Sequence, residues 1–484
     1  MEISAQTWEF IRKHRNGDVR DLALHAHRDD AVDLPFALDQ IDGWQRARTK
    51  LPEWAAHDGV IYPPHISMEQ CSSQSTARYK AGVAARLVGT SAGSESVSAS
   101  MSHDGNASTI AEPATPPTVN ATSTTQTVDG EAATSRGTLV DLTGGFGVDF
   151  SYMVRGFRRG VYVERQPHLC EIAEHNMHAL GLDHVTVVNG NAEEYLTELP
   201  DRVAHGTVNA PSGPTLIFLD PARRDAHGAR TYAIADCTPD VLALKDMLLA
   251  KADWVMVKLS PMLDWRKTVA DLGDCVREVH IVSTGNECKE LLVVMSGEPR
   301  DDARDSGSIR MVCVNDDDVL DYRIGDDGKV LESADAAADG DADDDENTIS
   351  DAGNNAAGNT EPAYLYEPNA SIMKAGCFDL LERRYARHDL RQIGPNSHLF
   401  VSGSMIERFP GRAFTIDAVT GMGKKELKAA LGEITQANIA VRNFPMPVAA
   451  LRKKLKLKDG GDTYIFATTT AKGRHVLMVT RKTR

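Results

Sequence analysis

The chain has 484 residues, 42% of them hydrophobic, with 53 Lys and Arg against 69 Asp and Glu and a formal charge of −16 at pH 7. That length accommodates two to four cores, and no apolar run approaches the roughly 18 residues that a membrane helix needs. The opening Met1-Glu2-Ile3-Ser4-Ala5-Gln6 lacks the pattern of a secretion signal, and seven scattered cysteines without C-x-x-C argue for reduced thiols in the cytoplasm, against a zinc site or a disulfide framework.

Residues 1–85 read as a helical region: Trp8–His14, Val19–Leu24 and Pro35–Ile41 all carry helix-compatible spacing. Residues 86–136 are rich in Ser, Thr, Ala, Gly and Pro and nearly devoid of large apolar side chains. Such a stretch cannot bury enough surface to offset its ordering entropy and is expected to be disordered. Across 137–298 strand-like runs alternate with helical patterns. The strand candidates are Leu139–Leu142, Gly160–Val163, Val185–Val188, Leu216–Leu219, Trp254–Lys258, Val279–Ser283 and Glu290–Met295. Helical patterns separate the first five, whereas only Thr284–Lys289 joins the last two, which predicts five parallel strands followed by a hairpin in a Rossmann-like α/β sheet. Residues 299–395 form a further module with a hairpin at Ile309–Val314 and Val319–Ile324. An acidic insert at 325–361, also expected to be disordered, interrupts it before the chain resumes at Tyr364–Pro368. The last module, 396–484, mixes strands (Phe414–Ala418, Tyr464–Ala467, His475–Thr480) with helices at Lys424–Leu431 and Val448–Leu455, a small α+β arrangement.

The location of the charge matters more than its sum. Residues 331–361 hold ten acids and no Lys or Arg, whereas 396–484 hold 16 Lys and Arg against 6 Asp and Glu, a net of +10. The acidity is read as mostly a property of the insert, which alone carries −10, and the chain ends in a basic module suited to a nucleic-acid partner.

The chemistry concentrates at predicted strand ends. Val140-Asp141-Leu142-Thr143-Gly144-Gly145-Phe146-Gly147 places an acid and a glycine turn after the first strand, and the second strand ends in Glu164. A dinucleotide fingerprint would need a third glycine at Phe150. An acid, two residues and Gly-Gly-x-Gly is instead the usual first motif of class I S-adenosylmethionine (SAM) methyltransferases. Gly144, Gly145 and Gly147 let backbone amides approach a ligand, with Asp141 fixing that loop or meeting an amino group. Glu164 can accept two hydrogen bonds from a ribose diol, and Asn191 after the third strand can accept one from an adenine amine. The fourth strand ends in Asp220-Pro221-Ala222-Arg223-Arg224, where the Asp220 side chain and Pro221 carbonyl can orient an exocyclic amine about 3 Å from a methyl donor. Arg223, Arg224 and Arg230 are candidate phosphate contacts, and Lys258 and Ser260 line the same edge. In the tail, Leu451 and Leu455 can anchor a helix while Arg452, Lys453 and Lys454 face a phosphate backbone. No residue set suggests a metal site.

These segments, with Ile66–Ser73, Val257–Asp264, Tyr366–Ser371 and Val441–Gly461, resemble bacterial class I SAM-dependent methyltransferases with a C-terminal THUMP-like domain. The resemblance implies an N-terminal helical region, a catalytic sheet, a ferredoxin-like module and a THUMP-like tail associated with tRNA or rRNA modification. The catalytic part is distantly similar to trimethylguanosine synthases, and by that analogy Gln74, Ser75 and Thr76 form a loop over the cofactor, with Thr76 in contact. Amine-directed enzymes usually have a second proline and an aromatic residue where Ala222 and Arg223 stand. Asp-Pro-Ala-Arg is closer to the motif of uracil-C5 enzymes, which need a nucleophilic cysteine; Cys237 is the nearest in sequence. The expectation is therefore a cytoplasmic SAM-dependent methyltransferase acting on a base in tRNA or rRNA, at an exocyclic amine such as guanine N2. The alternatives are an RNA-binding or ribosome-assembly protein with a vestigial SAM site, or a methyltransferase with a non-RNA substrate.

Overall fold

Buried β-branched and aromatic runs alternating with amphipathic helices generate a parallel sheet in the first of two structural units. The computed structural model describes residues 3–25, 31–63, 65–89, 137–202, 213–223, 234–298, 307–325, 327–331 and 362–483. Residues 90–136 and 332–361, the bulk of the two stretches read as disordered, lie outside the described residues, as do Arg224 and Arg230. Unit 1 comprises Met1–Leu259, Ala270–Cys275 and Val293–Pro299; unit 2 comprises Ser260–Val269, Val276–Leu292 and Arg300–Arg484.

In unit 1, β1 (Thr138–Asp141), β2 (Arg159–Glu164), β3 (Val185–Asn189), β4 (Thr215–Leu219) and β5 (Trp254–Leu259) lie in the order β5-β4-β1-β2-β3. All four pairings are parallel. The chain therefore reverses its winding between β1 and β4. In open α/β sheets the crevice beyond the carboxyl ends of the strands at such a switch point is where ligands bind. β1, β2, β4 and β5 are buried through their central residues (Leu139, Val140, Tyr162, Ile217, Phe218, Met256), as expected when helices cover both faces, whereas β3 at the end of the order is only partly buried.

The N-terminal helices belong to the same core. Ala5–His14, Leu34–Lys50 and Gln74–Leu87 begin at Ser4, Asp33 and Ser73, each of whose side chains accepts a backbone N–H of the first turn. Trp54, Ile61, Tyr62 and Met68 from this region share one apolar cluster with Phe146, Val148, Tyr152 and Leu169. Gln74 ties the layers: its Oε1 accepts from Glu53 N at 2.8 Å and from the Tyr152 hydroxyl at 3.0 Å.

β6 (Val276–Thr284), in unit 2, and β7 (Glu287–Met295), in unit 2 through Leu292, are sheet neighbours joined only by Gly285-Asn286, a connection short enough to link only antiparallel strands. Both turn residues have positive φ (56° and 62°), as a type I′ hairpin requires. The strands thus run closer together than the expected Thr284–Lys289 link. The predicted hairpin at 309–324 forms as β8 (Ile309–Asn315) and β9 (Asp318–Ile324), antiparallel to each other, with β8 parallel to β6.

The second sheet of unit 2 contains β10 (Tyr364–Pro368), β11 (Phe400–Ser402), β12 (Gly411–Thr420), β13 (Asn438–Arg442), β14 (Thr463–Thr469) and β15 (His475–Lys482). Its order is Arg391–Gln392, β11, β10, β12, β15, β14, β13. Only β13 runs parallel to its neighbour. Helices Lys424–Leu431 and Val448–Leu455 form at the predicted positions. All seven cysteines are free thiols, and among the described residues no helix is long and apolar enough to cross a membrane.

Candidate active site

The parallel register brings the polar strand ends of unit 1 to one edge of the sheet. Asp141, the last residue of β1, stands opposite Tyr162 of β2 and Phe218 of β4. The glycine turn that follows lies directly on the Tyr162 ring. A Cβ at Gly144 would come within 2.2 Å of that ring. Gly147 has φ +82°, a conformation that L side chains rarely adopt. The Gly144 N–H donates to Val163 O at 2.9 Å, the Gly145 N–H donates to Glu164 Oε2 at 2.9 Å, and the Tyr162 hydroxyl donates to Gly145 O. The turn is thereby locked to the end of β2. Glu164, only 7% exposed, accepts the Gln166 N–H on its other oxygen at 2.9 Å. A carboxylate has about four acceptor positions, so these two bonds leave capacity on each oxygen.

Thr143 connects β1 to β4 and was not singled out by sequence reasoning. Its N–H and hydroxyl donate to Asp141 Oδ1 at 2.9 and 3.3 Å, while the hydroxyl oxygen accepts the Asp220 N–H at 2.6 Å. Asp141 is 2% exposed. Burial pushes its carboxyl up to about 8, opposed by the Thr143 N–H and reinforced by the charges of Asp149 and Asp220. Asp220 accepts from Lys258 Nζ at 2.5 Å, with its side chain 39% exposed and Lys258 largely covered. Pro221 is buried beside it.

A buried ion pair underlies the same corner. Lys80, 0% exposed, places Nζ 3.2 Å from Asp149 Oδ1, and the Ser72 hydroxyl donates to Asp149 Oδ2 at 2.7 Å. Asp149 lies in the first turn of Val148–Met153, immediately beyond the glycines. Nothing in the local sequence marks Lys80 as buried; its partner is 69 positions away.

Other predicted residues take different places. Gln74, Ser75 and Thr76 do not form a loop: Ser73 caps a helix and they make its first turn, with Thr76 buried and its hydroxyl donating to Ser73 O at 3.1 Å. Three consecutive residues after a good N-cap propagate the helix rather than a cover. Asn191 is itself an N-cap, its Oδ1 accepting the Glu193 N–H at 2.9 Å. Ala222 and Arg223 form a two-residue ladder with Cys237 and Thr238, which sets Cys237, buried, opposite Arg223. In unit 2, Leu451 buries one face of Val448–Leu455 while Lys453 and Lys454 are exposed. Arg452, by contrast, donates to Ala437 O, Lys458 O and Asp459, so it braces the turn after its helix. Among the described residues no group of three or more His, Cys, Asp or Glu is placed to hold a metal.

Two family models match the chain: a ferredoxin-like domain over 364–410 and a THUMP domain-like segment over 411–482. A crystal structure of a Porphyromonas gingivalis W83 protein assigned as a methyltransferase is similar over 100% of both chains, with TM-score 0.69 and 27% identity. The chain has a methyltransferase fold. A SAM-dependent methyltransferase from Agrobacterium tumefaciens (13% identity, 34% of this chain and 57% of that one) and an rRNA methylase from Streptococcus thermophilus (10%, 34% and 87%) align with TM-scores of 0.24. No curated protein sequence matches. On this methyltransferase fold the strand-end residues of β1, β2 and β4 converge at the switch point. Their donor and acceptor set fits SAM: a glycine cradle that a Cβ would fill, an acidic corner for a cationic ligand, and unspent acceptor capacity on Glu164.

Proposed function

We propose that this chain is a SAM-dependent methyltransferase that modifies a base in structured RNA, a tRNA or an rRNA. The observation that carries the reading is the convergence of Asp141, the glycine turn, Glu164 and Asp220 at one switch point of the parallel sheet. The THUMP-like match and the net charge of +10 over 396–484 support RNA as the partner.

SAM, when bound, supplies an electrophilic methyl group. Gly144, Gly145 and Gly147 bring backbone to its amino-acid tail, Asp141 receives its ammonium, Glu164 the ribose hydroxyls and Asn191 the adenine amine. Thr76 stands behind the site as part of its supporting helix. Asp220, held in one orientation by Lys258, accepts a hydrogen bond from the target amine together with the Pro221 carbonyl, and so aims the amine lone pair. The proposed acceptor is an exocyclic amine such as guanine N2. Arg223, Arg224, Lys453 and Lys454 contact phosphates.

Calorimetry with S-adenosylhomocysteine, followed by tritiated SAM with RNA from a deletion strain, tests the reading. Asp220→Asn should retain the S-adenosylhomocysteine affinity within about 3-fold yet lose about 100-fold or more in methyl incorporation, since misplacing a reacting group costs that much. No ligand binding by the intact protein would sink the proposal. Binding with no incorporation into any RNA would favour an assembly factor with a vestigial site.

A further inference from the structure

Unit 2 holds a basic cleft that the reading above does not use. It has a volume of about 450 Å³ and is lined by Asn286, Cys288, Glu367, Lys374, Arg412 and Arg442 among others, a size within the range of ligand pockets. Its floor is built by strand register. Glu367 of β10 pairs directly with Arg412 of β12, and Arg442 ends β13. Glu367 is 4% exposed, and both guanidiniums reach it: Arg412 donates to Oε2 through Nε at 2.9 Å and through Nη2, and Arg442 Nη2 donates to Oε1 at 2.6 Å.

One carboxylate between two guanidiniums leaves a positive charge. Lys374 lines the same cleft; its ammonium donates to Leu263 O at 2.8 Å, and the charge of Asp264 acts on it as well. The two arginine side chains keep 42% and 40% of their surface exposed, so the charge faces the opening and is not sealed in. Arg442 Nε is fully buried and has no hydrogen-bond partner among the described residues, a cost that a donor ordinarily avoids. Burial holds the Lys374 ammonium below its usual range, opposed by the nearby Cys288 and by the Asp264 carboxylate. A structural salt bridge needs one arginine for one glutamate. Two arginines on one carboxylate, with Lys374 lining the same cleft, leave an excess of cationic donors there, and the planar forks of arginine match phosphate oxygens.

We propose that this cleft binds a phosphate group, anchoring one backbone or terminal phosphate of the RNA away from the site of chemistry. The RNA source of that phosphate rests on the reading above; the anion chemistry does not. Lys374→Met is the informative variant, because it leaves both Glu367 ion pairs intact, and Arg412→Gln with Lys374→Met is the stronger one. Thermal denaturation of each full-length variant establishes that it folds. Inorganic phosphate is titrated calorimetrically, and a labelled tRNA pool by fluorescence anisotropy across a range of NaCl concentrations. Loss of about 10-fold in tRNA affinity, with a salt dependence shallower by about one counterion per phosphate contact removed, assigns the site to RNA. Weakened phosphate binding with unchanged tRNA affinity assigns it to a free phosphate or nucleotide. Neither changing in the folded double variant overturns the proposal. S-adenosylhomocysteine affinity, measured in parallel, tells failure of this inference from failure of the functional reading.

Discussion

Asp141 makes a quantitative prediction about ligand binding and pH. Its carboxyl is buried at the end of β1 and pushed up from an ordinary value near 3.8 to about 8, by burial first and then by the neighbouring charges of Asp149 and Asp220. In the ligand-free protein at pH 6 it is therefore protonated. If it receives the ammonium of S-adenosylhomocysteine, it must ionise on binding. At 1.36 kcal/mol per pH unit, ionisation at pH 6 costs ~2.7 kcal/mol, about 100-fold in affinity. Affinity should rise about 10-fold per pH unit from 5.5 to 7.5, a window in which the ligand amine stays largely protonated, and about one proton should be released per ligand bound.

Isothermal titration calorimetry in buffers of different ionisation enthalpy counts that proton directly. Asp141→Asn keeps an oxygen for the Thr143 N–H but cannot ionise. It should bind with a flat pH profile and release no proton from this position, and its deficit against wild type should shrink as the pH falls. The same shift has a sign for stability. The native state holds a proton that the unfolded chain has lost, so unit 1 loses stability as pH rises between 3.8 and about 8, and the asparagine variant does not. Equal proton release by wild type and variant would refute the assignment of the ammonium to Asp141.

Two further substitutions probe the frame of the site. Gly144→Ala drives a methyl group to within 2.2 Å of the Tyr162 ring, so it should cost ~1–3 kcal/mol by overpacking and abolish measurable S-adenosylhomocysteine binding; chemical denaturation and calorimetry read the two effects. Lys80→Met leaves the Asp149 carboxylate buried without its cation and should destabilise unit 1 by ~3–5 kcal/mol, seen as an earlier unfolding transition.

Much of the sheet was legible because its signals are local. Each of the seven strand candidates in 137–298 lies within or overlaps an observed strand, since a buried parallel strand is a continuous apolar run bounded by turn residues. Glu164 and Asp220 were legible for the same reason: they are the first polar residues after such runs. β13 was not read as a strand, because its apolar run, Ile439-Ala440-Val441, is short and lies between polar residues, and the strand is only half-buried along its length. The Gln74–Thr76 segment misled because an analogy supplied a loop where Ser73 supplies a helix cap. Thr143, Lys80 and Tyr162 matter through partners 17 to 77 positions away, and no short window along one sequence contains both halves of such a contact.

Those long-range contacts change what the N-terminal helices are for. A cover over a bound ligand could be removed without disturbing the carboxylates beneath it. Here the helix Gln74–Leu87 supplies Lys80 to Asp149, and the turn before it supplies Ser72 to the same carboxylate. Asp149 in turn bears on the ionisation of Asp141. A fully buried lysine is tolerated only against a buried anion, and a crowded set of carboxylates only with a cation nearby. Each therefore requires the other, and the acidic corner that suits a cationic ligand exists because residues from the first 90 positions help to neutralise it. The helical region and the sheet form one electrostatic unit as well as one apolar core.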